Sequence, residues 1–238
     1  MMLAAAADMA TEFGGFADIA GMRALCDRRG VLVFPEYRLL VVSDLHLEKG
    51  SSFARRGVFL PPYDTAATLD RLEAVIADHA PETVISLGDS FHDRTGSARL
   101  HDSFRARIAA LAAGRDWVWV TGNHDPDAPQ GLPGRSVSEI AIDRMTFRHE
   151  PLAGRADGEV AGHLHPGVRI VRRGRSVRRA CFAGDGRRMI MPAFGALTGT
   201  LNVLDRAYAS LFDWSAFRAH ALGPERIYTL ARPSLFPG

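Results

Sequence analysis

The sequence predicts an α/β protein of two packed sheets, and three observations carry that prediction. In the first half, apolar runs of strand length alternate with stretches of helical periodicity. Each of those runs ends on a polar cluster, the pattern of an open α/β sheet whose site forms at the carboxyl ends of its strands. After residue 135 the rhythm changes to closely spaced strand-like runs with little helix between them, which reads as hairpins building a second sheet against the first.

Taken in order, Val31–Phe34 and Leu39–Val42 read as strands split by Pro35, which cannot donate to a ladder. Gly50–Tyr63 contains Pro61-Pro62 and reads as a long loop. Asp64–His79 sets Leu69, Leu72, Val75 and Ile76 on one helical face, with Asp64 as the N-cap. Thr83–Leu87 is a strand leading into Gly88-Asp89. Ser97–Ala113 is an alanine-rich amphipathic helix ended by Gly114. Trp117–Val120 is a strand leading into Gly122-Asn123-His124-Asp125. Strand-like runs follow near 138–142, 145–149, 158–162, 168–171, 177–182 and 188–191. Trp214–Leu222 reads as a late helix and Arg226–Leu230 as a last strand.

At 238 residues the chain is most simply one domain spanning 1–238, with 1–12 as a poorly ordered tail. A hydrophobic content of 47% beside 24% charged residues is that of a soluble globular protein. Cys26 and Cys181 match no zinc spacing and read as buried thiols in a reducing compartment. The apolar opening lacks a basic region before it, and no run reaches the roughly 18 apolar residues a membrane span needs. The expectation is a cytoplasmic protein with no membrane association.

The net charge of +2 excludes a polycation, so the distribution matters more than the sum. Nearly all the positive charge is arginine, with Lys49 the only lysine. Arg169–Arg188 holds eight arginines, among them Arg172, Arg173, Arg178 and Arg179, against one acid, Asp185. Such a segment is either a solvated hairpin face or a surface that tracks phosphates, since guanidinium forks match phosphate oxygens.

Five segments carry chemistry: Asp44-Leu45-His46, Gly88-Asp89, Asn123-His124-Asp125, His149 and Gly162-His163-Leu164-His165. They offer two carboxylates, one amide oxygen and four imidazoles, with His124 to spare. That mixture of oxygen and nitrogen suits Mn²⁺, Fe²⁺ or Zn²⁺ rather than an all-oxygen cage for Mg²⁺ or Ca²⁺. Asp44 and His46, two residues apart after a strand, can hold one ion. Asp89 can bridge two ions, Asn123 gives a neutral oxygen to the second, and His163 and His165 serve one each. Two ions about 3.5–4 Å apart acidify a bridging water and clamp a phosphoryl group for in-line attack by the resulting hydroxide. His92, three residues after Asp89, either touches substrate or packs its loop, and Arg94 either meets a phosphate or is solvated. Lys49, Arg55 and Arg56 follow the first motif on a segment that can overhang the cleft.

In these residues the sequence resembles the calcineurin-like metallophosphoesterase superfamily, with its D-x-H, G-D, G-N-H-[DE], H and G-H-x-H pattern. The resemblance implies a four-layer α-β-β-α sandwich of two mixed sheets flanked by helices. It implies that Asp44, His46, Asp89 and His165 hold one ion, and Asp89, Asn123, His149 and His163 the other. By the same resemblance His124 is the general acid, oriented by Asp125. Ser43–Gly50, Leu87–Asp93 and Met191–Gly195 further resemble the bacterial ligase-associated DNA-damage-response endonucleases. That likeness implies a Mn²⁺-dependent endonuclease on single-stranded or damaged DNA, working in repair beside an ATP-dependent DNA ligase, a helicase and a second nuclease. The motifs leave two further readings open: a cyclic-nucleotide phosphodiesterase or phosphatase, and a scaffold that has lost its metals.

Overall fold

In the computed structural model, which describes residues 14–59 and 63–238, the chain opens on an antiparallel hairpin of β1 (Gly14–Ile19) and β2 (Met22–Asp27). The tail expected at 1–12 lies outside the described residues. β3 (Leu32–Phe34) and β4 (Leu39–Val42) follow, joined by a 3-10 turn over Pro35–Tyr37. Helices α1 (Lys49–Ala54) and α2 (Asp64–His79) precede β5 (Thr83–Leu87); α3 (Gly96–Arg99) and α4 (Asp102–Ala112) precede β6 (Asp116–Val120) and β7 (Arg135–Val137). The described residues thus form a seven-stranded sheet in sequence order, antiparallel from β1 to β4 and parallel from β4 to β7.

The second half is nearly all strand: β8 (Glu139–Ile142), β9 (Met145–Arg148), β10 (Glu159–Ala161), β11 (Pro166–Arg172), β12 (Arg175–Gly184), β13 (Arg188–Ile190), β14 (Leu201–Asn202), β15 (Arg218–Leu222) and β16 (Ile227–Ala231). Among the described residues these make a nine-stranded sheet in the order β14-β11-β12-β13-β10-β9-β8, with β15 joining β12 to β16. The two mixed sheets give the expected sandwich.

Alternation along each strand assigns the layers. Leu39 and Val41 of β4, Ile85 and Leu87 of β5, and Val118 and Val120 of β6 point to the second sheet, where they meet Met145, Phe147, Val160, Phe182 and Met189. Phe34 and Phe147 meet edge to face across that interface, their centroids 5.9 Å apart. Burying each such ring stabilises the fold by roughly 1.5–3 kcal/mol. Leu40, Val42, Trp117 and Trp119 point the other way, onto Leu69, Leu72 and Val75 of α2 and Ile108 and Leu111 of α4. The outer face of the second sheet is covered by residues 203–217, where Tyr208, Leu211, Phe212 and Phe217 are buried and the regular structure is one 3-10 turn, Arg206–Tyr208.

Four expectations need correction. The segment expected as a loop from Gly50 to Tyr63 begins with α1, which starts behind Glu48 in a left-handed conformation, φ 63°. The Glu48 carboxylate accepts hydrogen bonds from Ser51 and Thr65, so contacts across the fold hold this short helix. Asp64 does not cap its own helix; its carboxylate accepts the Gly50 N–H of α1 at 3.0 Å. The helix expected over Ser97–Ala113 is broken at Leu100, which turns inward to bury its side chain, and α4 restarts with the His101 ring accepting the Ser103 N–H. Trp214–Leu222 is not a helix: Arg218–Leu222 is strand β15, with Ala219 and Ala221 alternating into the core. Cys26 and Cys181 are free and buried. Among the described residues no helix is long and apolar enough to cross a membrane.

His220 of β15 lies in the ladder opposite Thr229, with its Nδ1 3.0 Å from the Thr229 hydroxyl. Burial, assisted by Arg218, pushes its pKa from 6.5 down to about 4. A base whose folded pKa is depressed leaves stability untouched above pH 6.5 and removes it as pH falls towards 4, here by about 3 kcal/mol. Between pH 7 and 4, urea denaturation should show a loss of stability in wild type that exceeds that of His220→Asn by about this amount. Equal pH dependence in the two proteins would assign the acid sensitivity to other groups.

Candidate metal centre

Strand register brings the polar clusters to one place. In the first sheet Val42, Ser86 and Trp119 lie side by side across β4, β5 and β6, so the three parallel strands end together. In the second sheet Arg148, Ala161 and Ile190 do the same across β9, β10 and β13. Residues 43–48, 88–92 and 121–125 therefore meet His149 and the 162–165 loop from the opposite sheet.

Backbone bonds fix the loops before any side chain acts. Residues 44–47 run beside 88–92: Asp44 N–H donates to Gly88, His46 N–H to Asp89 and Leu47 N–H to Ser90, while His92 N–H returns to Leu47. Asp44, His46, Asp89, His163 and His165 all hold positive φ, from 44° to 67°. Each such residue costs roughly 1–2 kcal/mol in this left-handed region. Five of the eleven non-glycine residues of this kind among the described residues sit here, so backbone strain is concentrated at the site. Gly88, φ 75°, leaves room for the His149 ring, whose Nδ1 would lie 2.2 Å from an added Cβ. Gly162 similarly lets Ser43 Oγ approach to a point 2.0 Å from where its Cβ would be.

The side chains form two clusters. Asp44, His46 and His165 present ligand atoms within 4.8 Å of one another, and so do Asp89, His149 and His163. The His46 and His165 Nε2 atoms are 3.3 Å apart, and His165 Nε2 is 3.2 Å from Asp44 Oδ1. In the other cluster His149 Nε2 lies 3.0 Å from Asn123 Oδ1, 3.4 Å from Asp89 Oδ2 and 3.3 Å from His163 Nδ1. Asp89 Oδ2 is also 3.9 Å from His46 Nε2, so this carboxylate stands between the clusters. The seven expected ligand residues are thus brought together.

The donor set fits divalent ions on its own chemistry. Asp44 Oδ2 accepts the Ser43 hydroxyl at 2.5 Å and the His163 N–H at 3.1 Å, whereas Asp44 Oδ1 is buried and accepts no hydrogen bond. His149 Nδ1 donates to the Leu87 carbonyl at 3.1 Å and so turns Nε2 inward, as a metal-binding histidine does. Burial opposes charge on both members of the Asp89–His149 pair, yet their contact holds the Asp89 carboxyl down at about 2 and lifts His149 to about 9. Burial pushes His46 down to about 4 against the pull of Asp44 and Asp89.

His124 lies at the rim, with its Nε2 3.9 Å from Asp89 Oδ2. Its Nδ1–H donates to the His92 carbonyl at 2.9 Å, so Nε2 is the nitrogen left for chemistry. The expectation that Asp125 orients His124 is corrected here. Asp125 accepts the N–H groups of Phe91 at 3.0 Å and Gly122 at 3.2 Å, tying together the loops after β5 and β6. Burial first, with repulsion from Asp89, raises its pKa to about 7. His92 stacks between Phe53 of α1 and His124. Asp93 grips Arg99 through two 2.8 Å bonds and steadies the loop.

An open groove of about 590 Å³ leads from Asn123 and His124 between Arg55, Arg56 and Arg94. Among the described residues, none of the arginines of 169–188 lines it. Arg178 lines a separate cavity of about 390 Å³ with Arg169 and Thr200, while Arg173 and Arg179 are exposed on the β11–β12 hairpin. Arg172 lies on β11, its side chain outside the described residues. Arg188 is buried, donating to the Leu152 and Gly154 carbonyls and pairing with Glu159, so the segment is not one continuous surface. Phe53 carries no signal in the sequence, lying in a segment that reads as loop, whereas Ser43 stands next to the first ligand in a tract that already draws notice.

The profile of the calcineurin-like phosphoesterase family matches residues 37–187. Among solved structures, the chain is similar to the nuclease MPE of Pseudomonas putida, with a TM-score of 0.69 and 29% identity over 90% of this chain and 98% of that one. Yfce, a phosphoesterase from E. coli, aligns with a TM-score of 0.41 and 15% identity over 81% of this chain and 98% of that one, a likeness too slight to carry an argument. No curated protein matches the chain.

Gly88→Ala should displace the His149 ring while sparing the cores on either side. Metal analysis after dialysis against Mn²⁺ should show about half the wild-type content, with activity down by at least about a hundredfold, the scale set by loss of a metal's ligand or its support. Full metal content in the variant would show that the loop relaxes around the methyl group.

Proposed function

The chain belongs to the calcineurin-like phosphoesterase family and is a metal-dependent phosphoesterase, and on that footing we propose that it is a DNA endonuclease working with two divalent ions, Mn²⁺ first among them. Asp44, His46 and His165 with Asp89 would hold one ion, and Asp89, Asn123, His149 and His163 the other. When bound, the ions supply an activated water and neutralise charge on the phosphoryl group. His124, held through Nδ1 by the His92 carbonyl, would deliver a proton from Nε2 to the leaving oxygen.

The observation that carries the nucleic-acid reading is the groove beside His124. A small phosphate needs no basic channel beyond the ions, whereas a polynucleotide has further phosphates to seat. Arg55, Arg56 and Arg94 stand where those phosphates would run. The likeness to a solved nuclease supports the same reading. The resemblance of the 43–50, 87–93 and 191–195 tracts to ligase-associated endonucleases extends it to repair of single-stranded or damaged DNA beside a ligase, a helicase and a second nuclease.

Metal-stripped protein given Mn²⁺ should cut circular single-stranded DNA, and Asp89→Ala should not. Replacing Arg55, Arg56 and Arg94 together with alanine should lower the salt slope of DNA binding by about 2, at roughly 0.7 per lost contact on a single strand. Cleavage of a nitrophenyl diester should be little changed. Activity confined to small esters would move the assignment to a cyclic-nucleotide phosphodiesterase or a phosphatase.

His124→Ala should keep both ions and slow DNA cleavage by roughly 10²–10⁴-fold, the span of a general acid. On nitrophenyl esters, whose leaving group needs no proton, the loss should be much smaller. Equal losses on both substrates would remove the acid role.

A further inference from the structure

Beside the two ligand sets lies a third cluster, which shares His46 with one of them and joins it to His92 and to the proton donor His124. His46, His92 and His124 each offer a ring nitrogen, and the three atoms lie within 4.8 Å of one another. His92 is pinned between Phe53, centroids 5.5 Å apart, and His124, 5.4 Å apart at 26°. Its buried Nδ1 has no hydrogen-bond partner. His124 gives its Nδ1–H to a backbone carbonyl, the arrangement that fixes the tautomer of a metal-binding histidine and leaves Nε2 free. His46 stands edge-on to both rings, at 5.6 Å and 5.2 Å.

The chemistry of this cluster differs from that of its neighbours. Each proposed ligand set includes a carboxylate, whereas this one is all imidazole. Three nitrogens with an open fourth position suit Zn²⁺, and nitrogen donors rank Zn²⁺, Cu²⁺ and Ni²⁺ above Mn²⁺. His92 and His124 line the groove, so an ion can enter from solvent. Arg55, Arg56 and Arg94 on the same groove repel a dication, which keeps binding weaker than at a structural zinc site.

We propose that His46, His92 and His124 form an inhibitory site for a nitrogen-preferring divalent ion, Zn²⁺ foremost, an inference that rests on the two-ion reading above. An ion there occupies the lone pair of His124 Nε2, which then carries no proton to the leaving group. It also competes with the first ligand set for His46. The protein is thereby active with Mn²⁺ and silenced when Zn²⁺ rises.

The test uses Mn²⁺-loaded wild type and His92→Phe, which keeps an aromatic ring in the stack and the carbonyl that holds His124. Zinc affinity is read by competition with a chromogenic chelator, and inhibition as cleavage of circular single-stranded DNA, whose leaving oxygen needs the His124 proton, relative to each protein's own zinc-free rate. Loss of one ligand should raise the zinc needed for half-inhibition by about tenfold or more, with a matching shift in the chelator titration. His92→Gln, judged on the same ratio, serves if the phenylalanine variant does not fold. Equal zinc sensitivity in wild type and variant would mean that zinc acts by displacing Mn²⁺ from the main sets, and would overturn the proposal. So would a wild type indifferent to zinc. Failure of the two-ion reading looks different: Mn²⁺ restores no activity to stripped protein, while the chelator titration still reports on the three histidines.

Discussion

Asp44 is the residue through which the two sheets are joined at the centre. Its N–H donates to Gly88 at the end of β5, and its carbonyl accepts the Gly195 N–H from the chain beyond β13. Its Oδ2 takes the Ser43 hydroxyl and the His163 N–H from the loop after β10. Three of its four polar atoms are thereby committed to structure, and the fourth, Oδ1, is left buried beside His165 with no hydrogen bond to accept. A carboxylate anchored in this way cannot turn to solvent to satisfy that oxygen. Removing a charge from water without a partner is among the costliest things a fold can do, so the same bonds that close the sandwich create the demand for a cation.

Strain follows the same logic. The ligand loops leave their strands through left-handed residues because a ligand side chain must turn sharply out of the ladder while its N–H and carbonyl stay bonded to the neighbouring loop. His46 illustrates this: its N–H is held by Asp89, and its ring is directed at His165. Roughly 1–2 kcal/mol at each of five positions is a large load for a protein of ordinary stability. It is carried by the two cores on either side, where Phe34, Trp117, Phe147 and Phe182 are fully buried.

What was legible in the sequence follows from which forces act locally. β4, β5 and β6 are buried on both faces, so they read as largely apolar runs, broken only by Ser86 within β5, and the polar residues at their ends stand out by contrast. The ligand residues could be found for that reason. β1 and β2 escaped notice because Gly14-Gly15 and the alternating small residues give little pattern. Helix α1 was hidden because Glu48, Thr65 and Asp64 hold it from outside its own six residues. β15 misled because Phe217, Ala219 and Ala221 fit a strand while the surrounding apolar residues also fit a helical turn. Arg94 stands some forty positions of chain from Arg55 and Arg56, and the pairing of the loops after β4 and β5 brings them together.

The correction at Asp125 bears on how the centre works. A carboxyl raised to about 7 by burial changes charge across the neutral range, so a histidine oriented by it would gain or lose its hold with pH. The His92 carbonyl does not titrate. By taking the His124 Nδ1–H there, the fold keeps Nε2 as the reactive nitrogen whatever the state of its neighbours, and Asp125 is released to pin Phe91 and Gly122. That choice makes the position of His124 depend on the loop from Asp89 to His92 rather than on a second side chain. The same loop carries a central ligand, the acceptor for the proton donor and one wall of the basic groove. A shift in any one of them would move the other two, which is why Asp93 is clamped by Arg99 and Thr95 immediately behind it.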